Sequence, residues 1–488
     1  MNSPINTKLA GSNDVARVGR LRAFALRAGS LLQKDVTLAL FDQAIVSGTS
    51  FLTTILVFRA ATQGNSELGR YQLGTSLVLF ATVVLESLIA GPFAVLSRKM
   101  DAEGRRHYAG STLIHTLAIL IAAVPFVTLA SVVFAGIEQF QPLSPVVGVL
   151  AMVLPLVMLR EYARRFCFAR LSMREVVAID LAVAVLQLAT LAVLFTLGIL
   201  TAVTAWLVIG TVCGVGAITW LILSRSKFVL QRENLKVHWG QSWAFGKWNL
   251  SAKGVNWLHD NCGVWLAAMF LAAGVAATGA YTKCQMIVQF SNPIILGLGN
   301  ILGPLTARAF VERGASDLRR TVGRMTCILG GAMICFWLLL LVGGTFGLKM
   351  YGDLQPGDHF VMMVLVTAYF AAAIGIGFNA GLQAMERTEA IFRVCLVAML
   401  VTVGVTAVLL KPFGLVGAAI GLLAGNLTGG AGRAIAFWKL SGEYLKKSTV
   451  ESFQDNTNNA LDDFDNRSDD DSIKSAAHSH LLEAVEQA

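Results

Sequence analysis

Charged residues are scarce in this sequence, making up only 14% of its 488 positions. Hydrophobic residues account for 55%, and the mean hydropathy is +0.64. A water-soluble domain typically has about a quarter of its residues charged, so this chain has too little charge to cover its apolar side chains. We therefore expect an integral membrane protein.

Cysteine is also scarce, and no enzyme motif stands out. The seven cysteines show neither the spacing of metal ligands nor a paired extracellular framework, so each is expected to be a small apolar core residue. The Gly-rich stretch at 297–300 lies inside an apolar segment with no strand before it, which argues against a phosphate-binding loop. We therefore expect no catalytic residues, no metal ion, no cofactor and no nucleic-acid partner.

The two ends of the chain lack apolar segments. Residues 1–35 carry six basic residues and no signal-peptide cleavage pattern, which predicts a cationic cytoplasmic leader lying partly on the lipid surface. Residues 451–488 hold ten acidic residues against two basic ones and are low in complexity. We expect a disordered, acidic cytoplasmic tail over 441–488, because such a segment buries too little apolar surface to fold.

Between these ends, apolar segments long enough to cross a bilayer recur, each needing about 20 residues. The pattern predicts twelve spans, at 36–58, 72–97, 110–135, 143–163, 176–198, 200–223, 248–271, 277–302, 325–347, 359–384, 388–410 and 413–438. Lys and Arg concentrate in every second connection, with Arg433 counted among the charges that follow the last span. The positive-inside rule then places both termini in the cytoplasm.

The longest cytoplasmic connection, 224–247, separates six spans from six and carries Trp among basic residues, which suits an interfacial linker. We therefore predict one six-helix bundle at 36–223 and a second at 248–440. Because each half has an even number of spans, the halves have the same orientation and are expected to be parallel repeats. The predicted fold class is an all-α membrane protein with twelve transmembrane helices.

Two of the predicted spans are unusually polar. In the seventh span, Asn249, Lys253, Asn256 and Asp260 recur at spacings of four, three and four, which places them on one face of a helix. A charged residue at bilayer depth usually faces a protein interior or a water-filled cavity, because the lipid offers it no partner. This face is therefore predicted to line a polar pathway.

The eighth span repeats the arrangement and adds Lys283. Its polar face consists of Tyr281, Gln285, Gln289 and Asn292. Pro293 directly after this face predicts a kink, because proline removes a helical hydrogen bond. We interpret the seventh and eighth spans as one wall of the pathway.

The charged residues of the two polar spans, and Glu86 of the second span, are predicted to lie at different depths in the bilayer. Glu86 lies about 14 residues, or roughly 21 Å, from the outer end of the second span, and Asp260 about 11 residues, or roughly 16 Å, from that of the seventh. Their short side chains are too deep to reach water along the lipid face. Lys253, near the cytoplasmic side, and Lys283, about six residues from the outer end, have a second option, because lysine can extend along the lipid face to the interface.

Three short motifs then connect the chain to a known family. They are Glu-Leu-Gly-Arg-Tyr-Gln-Leu-Gly at 67–74, Arg-Glu-Tyr-Ala-Arg-Arg-Phe at 160–166 leading to Asp180, and Phe-Gly-Leu-Val-Gly-Ala-Ala at 413–419. In order and placement they resemble the Wzx-type polysaccharide flippases of the multidrug/oligosaccharidyl-lipid/polysaccharide (MOP) superfamily, over about residues 36–440. Asp180, and Asp42 in the first span, are expected to form structural ion pairs, Asp180 with the arginines at 160–174.

The resemblance implies a multi-pass inner-membrane transporter that flips a lipid-linked oligosaccharide or exports polysaccharide precursors by alternating access of two bundles. It implies a cationic central cavity that accepts the pyrophosphate and sugars of an undecaprenyl-linked oligosaccharide. Expected partners are this lipid-linked glycan, membrane lipids and other polysaccharide assembly proteins. Our hypothesis assigns the cavity to residues of the two polar spans: Lys253, Asn256, Asp260, Lys283, Gln285 and Gln289. The lysines would attract phosphates, and Glu86 and Asp260 would hold those lysines in the empty cavity or exchange a coupling cation.

Two alternatives stay open. A multidrug or organic-cation exporter of the same superfamily should prefer an acidic cavity, which Glu86 and Asp260 allow and Lys253 and Lys283 oppose. A membrane polymerase or ligase of lipid-linked sugars usually needs a sizeable extracytoplasmic loop, and the outer connections predicted here are short. We therefore expect a transporter and not an enzyme.

Overall fold

The computed structural model describes residues 37–465 apart from residues 40, 61–63, 232 and 353, and it omits the side chains at 296, 297, 300, 301 and 447–465. The predicted leader at 1–35 and the end of the predicted tail, 466–488, lie outside the described residues.

Every regular element in this described part of the chain is helical. The main helices are α1 (Thr37–Ala60), α2 (Gly64–Lys99), α3 (Ala102–Ala135), α4 (Ser144–Ala169), α5 (Met173–Thr196), α6 (Ala202–Leu223), α7 (Leu235–Phe270), α8 (Val275–Val288), α9 (Asn292–Lys349), α10 (Asp358–Ala384), α11 (Thr388–Phe413) and α12 (Leu415–Asp465).

Within the described residues, ten helical segments are long and apolar enough to cross a membrane. The predicted spans at 248–271 and 277–302 coincide with α7 and with α8 plus the start of α9, but they are not among these ten. Polar residues lower the mean hydropathy of α7, and the 3-10 turn at Gln289–Ser291 leaves α8 only 14 residues long. The structure thus supports an all-helical, multi-pass membrane fold, while the count of twelve spans and the orientation of the termini stay predictions.

Three interruptions break the regular helices. Residues Glu86–Ala90 of α2 form a π-helical segment. A 3-10 turn at Gln289–Ser291 separates α8 from α9, and Pro293 stands in the first turn of α9, so the regular helix is interrupted where the kink is predicted. Gly314 breaks α9 with a φ of 74° and a ψ of −165°, in the connection predicted between the eighth and ninth spans.

The chain divides into two compact units. Unit 1 comprises the residues up to Pro293 with Gly343–Met362 and Thr406–Ala419, and unit 2 comprises Ile294–Val342, Met363–Val405 and the chain from Ile420. Helices α1 to α8 belong to unit 1, and most of α9 to α12 belongs to unit 2. The predicted domain boundaries, with bundles at 36–223 and 248–440, stay predictions.

In unit 1, the first of the three motifs places α2 against α8 and α6. A Cβ atom on Gly69 would overlap the carbonyl oxygen of Val275, and one on Gly279 would overlap that of Asn65, so the two backbones touch only because both positions are glycine. Tyr71, two residues along α2, stacks on Trp206 of α6 with ring centroids 5.3 Å apart. The motif at 67–74 therefore has a packing role in this fold.

The segment 224–247, predicted to be an interfacial linker, contains the first turns of helix α7, which begins at Leu235. Its first turns pack on α3: Ser111 Oγ lies 2.8 Å from His238 Nδ1, and the Tyr108 and Ser242 hydroxyls are 3.0 Å apart. Burial, followed by the nearby His107, lowers the pKa of His238 below its ordinary value. The neutral His238 ring can accept a hydrogen bond from the Ser111 hydroxyl. The contacts of His238 and Ser242 with α3 stabilise the first turns of α7 within the predicted linker.

In unit 2, helix α12 continues to Asp465, past residue 441, where the acidic tail is predicted to begin. Ser441 is fully buried, and its hydroxyl accepts a hydrogen bond from Arg319 Nε at 2.8 Å. Tyr444 packs edge-on against Phe310, with ring centroids 5.3 Å apart. These contacts stabilise the helix past residue 440, which local composition alone does not reveal.

Candidate functional site

The polar face of α7 meets α2 at the π-helical segment. Lys253 Nζ lies 2.6 Å from Glu86 Oε1, so the structure brings together two of the predicted site residues. A side chain on Gly246 of α7 would overlap the carbonyl oxygen of Ser87, which shows that α7 packs directly on this segment. π-Helical turns occur frequently at functional sites, because the extra residue redirects side chains. Here the turn begins at Glu86 itself.

Glu86 is also one end of a larger group of ion pairs, which we call the unit 1 ion network. It joins side chains from α1, α2, α4, α5 and α7. Its acidic members are Asp42, Glu86, Glu161 and Asp180, and its basic members are Arg160, Arg164, Arg165 and Lys253. Because acids and bases are equal in number, the network compensates its own charge.

The part of the network around Asp42 and Asp180 is buried, and we call it the inner end of the network. Asp180 accepts hydrogen bonds from Arg160 Nη2 at 2.6 Å and from Arg164 Nε at 2.7 Å. Arg164 Nη2 also donates to Asp42 Oδ2 at 2.6 Å. Both aspartates are only 1% exposed. The predicted pairing of Asp180 with the arginines at 160–174 is confirmed, and this end ties α1, α4 and α5 together.

The part of the network around Glu86, Lys253 and Arg165 is accessible to solvent, and we call it the outer end of the network. Arg165 Nε donates to Glu161 at 2.7 Å, while its Nη1 lies 3.5 Å from Glu86 Oε1. The side chains of Glu86, Lys253 and Arg165 are 31%, 32% and 33% exposed. Glu86 is thus a single carboxylate shared by two cations, and a second anion can approach the same cations without entering the buried end. Sequence reasoning missed Arg165, although it stands in the quoted motif at 160–166.

Lys283 has a different environment, because it forms a buried ion pair with Asp358 at the start of α10. Its Nζ lies 2.6 Å from Asp358 Oδ2, and the two side chains are 3% and 7% exposed. The backbone N–H of Gln355 donates to the same carboxylate oxygen at 2.9 Å. In this structure Lys283 therefore does not extend along a lipid face.

Sequence reasoning missed Asp358 as the partner of Lys283. The available signal was its position directly before the apolar segment 359–384, where an acidic residue suits a helix N-terminus. The neighbouring Tyr351 and Thr54 hydroxyls are 2.9 Å apart, and Phe58 packs edge-on to the Tyr351 ring. Burial raises the pKa of Tyr351 above its ordinary value, so its hydroxyl stays neutral and able to hydrogen-bond.

The other predicted site residues are spread over two helices. Asn256 and Asp260 are exposed on α7, on the face that carries Lys253. Gln285 is buried on α8, and Gln289 is half-buried in the 3-10 turn that follows. Their assignment to substrate binding stays a prediction.

An apolar groove of about 470 Å³ lies elsewhere, between α5 and α6. The ion pair between Lys227 Nζ and Glu175, at 2.7 Å, lies at its rim. None of the predicted site residues lines this groove, and its apolar walls suit lipid-facing helices better than a polar pathway.

No family model and no curated protein matches this sequence. Solved structures do resemble the fold. One is the inward-facing conformation of a multidrug resistance MATE family transporter of the MOP superfamily, with a TM-score of 0.68 and 16% identity over 83% of this chain and 96% of that chain. Another is a Vibrio cholerae MATE transporter variant, with a TM-score of 0.57 and 15% identity over 84% of this chain and 97% of that one.

A third similar structure is a MOP superfamily transporter from Pyrococcus furiosus, described as having a binding pocket of reverse polarity that suggests a different function. Its TM-score is 0.59, at 14% identity over 84% of this chain and 95% of that one. The chain therefore has the fold of these transporters. Identities this low carry no residue roles across, and fold alone does not fix function.

Proposed function

We propose that this protein is a membrane transporter of the MOP superfamily that moves a lipid-linked oligosaccharide from the cytoplasmic to the outer leaflet of the inner membrane by alternating access. The transporter part rests on the multi-pass helical fold and its likeness to MATE transporters. The oligosaccharide part rests on the resemblance of the motifs at 67–74, 160–166 and 413–419 to polysaccharide flippases, and on the chemistry of the polar face of α7.

The observation that carries the substrate proposal is the sharing of Glu86 by Lys253 and Arg165, with all three side chains about one-third exposed. A phosphate or pyrophosphate carries more negative charge than one carboxylate and more acceptor oxygens. It can therefore compete with Glu86 for both cations, since charge-assisted hydrogen bonds to phosphate are strong. Glu86 would then hold the lysine while the site is empty and release it to the substrate.

The remaining predicted residues take supporting roles in this proposal. Asn256, Asp260, Gln285 and Gln289 offer donors and acceptors to sugar hydroxyls, which a glycan cavity needs. Lys283 takes part only in a state in which its ion pair with Asp358 has opened. Membrane lipids and other polysaccharide assembly proteins are the proposed partners.

The experiment that tests the proposal measures which leaflet holds the lipid-linked sugar. Cells lacking the protein should accumulate it in the cytoplasmic leaflet, and the purified protein in liposomes should equilibrate it between leaflets. Accumulation of unpolymerised units in the outer leaflet would instead indicate a polymerase or ligase. The connections of the described chain that are predicted to lie outside, 136–143, 197–201, 271–274 and 350–357, are too short to hold a catalytic domain.

A second candidate is a multidrug or organic-cation exporter, which is favoured by the likeness to MATE family structures. Such a substrate needs an accessible carboxylate. Glu86 and Asp358 are each held by a lysine at 2.6 Å, so a cationic drug would have to displace an internal cation at either of them. Asp260, exposed on α7, is the carboxylate that such a substrate could approach. Export of cationic dyes by the protein, without movement of lipid-linked sugar, would establish this function and exclude the flippase.

A further inference from the structure

Arg433 of α12, in unit 2, forms no ion pair with a carboxylate of the described residues. No Asp or Glu oxygen lies within 4.0 Å of its guanidinium in the part of the chain that the structure describes. Its Nη2 donates to the Cys395 sulfur at 3.4 Å, and its Nε is buried without a partner. A guanidinium has five N–H donors and a thiol is a weak acceptor, so the protein leaves most of this charge unsatisfied.

Three other arginines of unit 2 find oxygen acceptors within the protein. Arg308 and Arg393 each pair with a glutamate four residues away on their own helix, at 2.8 Å and 3.4 Å. Arg319 donates to the Ser441 hydroxyl and to the carbonyl oxygen of Trp438, at 2.8 Å and 2.9 Å. These arginines have acceptors within the protein, and Arg433 has only sulfur.

The sequence pattern grouped Arg433 with the cytoplasmic charges after the last span, but the structure places its guanidinium deeper. It packs beside Gly375 of α10, nine residues before the end of that helix at Ala384, and beside Cys395, seven residues after the start of α11. At 1.5 Å per residue, these distances are roughly 14 Å and 10 Å from the helix ends. A charge at that depth needs a counter-charge or water.

Small residues make room for the guanidinium. The position of a Cβ atom on Gly375 lies 3.0 Å from Arg433 Nη1, and one on Gly429 lies 3.8 Å from it. Ala398, which the Cβ position of Gly429 approaches within 3.3 Å, is buried. These described neighbours of the guanidinium are apolar and carry no anion.

We propose that Arg433 binds a phosphate or pyrophosphate group. The planar guanidinium presents paired N–H donors that match two phosphate oxygens, a geometry that a spherical anion cannot use. An ion of this kind would supply the counter-charge that the surrounding helices lack. The proposal rests on the proposed function and deepens it, because it names a residue of unit 2 that would bind the phosphate groups of a lipid-linked glycan.

The test measures binding of inorganic pyrophosphate to the full-length protein in detergent by calorimetry. Arg433→Gln should weaken binding about tenfold or more, because it removes a charge-assisted pair. Arg320→Gln is the matched control, since Arg320 is an exposed arginine of the same unit and should leave binding unchanged. Pyrophosphate binding to Arg433→Gln as tight as to the wild type, or no binding to the wild type, would overturn the proposal.

Two further variants keep the test sharp if Arg433→Gln fails to fold. Arg433→Lys keeps the positive charge but loses the paired N–H donors of the guanidinium. Its affinity for pyrophosphate should therefore lie between those of the wild type and Arg433→Gln. Gly375→Ala leaves Arg433 in place but brings a methyl group 3.0 Å from Nη1, so it should also weaken binding. Unchanged affinity in both variants would overturn the proposal.

Competing lipids identify the source of the phosphate. Displacement of pyrophosphate by polyprenyl pyrophosphate, but not by phosphatidylglycerol in the same micelles, supports a lipid-linked substrate. Equal displacement by phosphatidylglycerol would overturn the substrate assignment and make the occupant a bulk-lipid headgroup. A wild type that binds at Arg433 but moves no lipid-linked sugar would refute the proposed function alone, and normal transport with normal binding in Arg433→Gln would refute this inference alone.

Discussion

The two ends of the unit 1 ion network contain the same kinds of charge in different settings. At the inner end, Asp180 is buried against Arg160 and Arg164, and its carboxylate accepts strong hydrogen bonds from both. At the outer end, Glu86, Lys253 and Arg165 are about one-third exposed. Burial makes an ion pair hard to break and therefore structural, whereas exposure leaves its members able to exchange partners. Only the outer end is suited to a mobile anion.

The largest expected effect comes from breaking the inner end. Asp180→Ala leaves Arg160 and Arg164 without this carboxylate in a buried site, which should destabilise the protein by about 3–5 kcal/mol. The measurement is the yield and melting temperature of detergent-solubilised protein. Asp180→Asn, which keeps acceptor oxygen and volume, should lose less. If Asp180→Ala folds normally but fails to transport, the inner end has a functional role, and its assignment as purely structural is wrong.

The next effect concerns Lys283 and Asp358, a second buried pair. Lys283→Met alone should destabilise by about 3 kcal/mol or more, because it leaves a buried carboxylate unpaired. Adding Asp358→Asn removes that charge while keeping an acceptor for the Gln355 N–H, so the double variant should recover most of the stability. The readout is a double-mutant cycle on melting temperature, with transport measured in parallel. A double variant that is stable but inactive would show that Lys283 binds substrate.

The outer end should respond in rate and not in stability. Lys253→Gln should reduce movement of lipid-linked sugar about tenfold or more, because one charge-assisted contact to phosphate is lost. Its melting temperature should change little, since the pair with Glu86 is partly exposed.

The matched control for Lys253 is Lys247→Gln. Lys247 lies on the same helix but is exposed, and its ammonium group lies 5.8 Å from the centre of the Trp248 ring. Transport by this variant should stay within about twofold of the wild type. Full activity of well-expressed Lys253→Gln would remove the outer end of the network from the substrate path.

The smallest effect is expected at the end of the chain, where packed and acidic segments adjoin. A protein ending at residue 450 should insert, fold and transport normally, because the acidic segment 451–488 has little apolar surface to bury. A protein ending at residue 440 loses the buried Ser441 and the Tyr444 contact with Phe310, and should melt lower. Equal melting temperatures would show that these contacts add nothing.

The sequence by itself determined the features that depend on local composition and spacing. Apolar segments predicted the helices, and the basic motif at 160–166 predicted partners for Asp180. Pro293 marked the interruption between α8 and α9, because proline cannot donate a hydrogen bond to the preceding turn. Each of these follows from chemistry within one segment or from a simple charge match.

Tertiary structure decided which distant side chains meet and how deep they lie. Asp358 is far along the chain from Lys283, and Glu86 reaches Lys253 through a π-helical turn that its sequence does not announce. Arg433 reads as a loop charge until packing sets it beside Gly375. Helix spacing fixes which residues share a face, but the rotation and register of neighbouring helices come from packing between segments. Helix rotation and register therefore decide that Lys283 and Asp358 form a buried ion pair, that Glu86 is partly exposed between two cations, and that Arg433 has no carboxylate partner among the described residues.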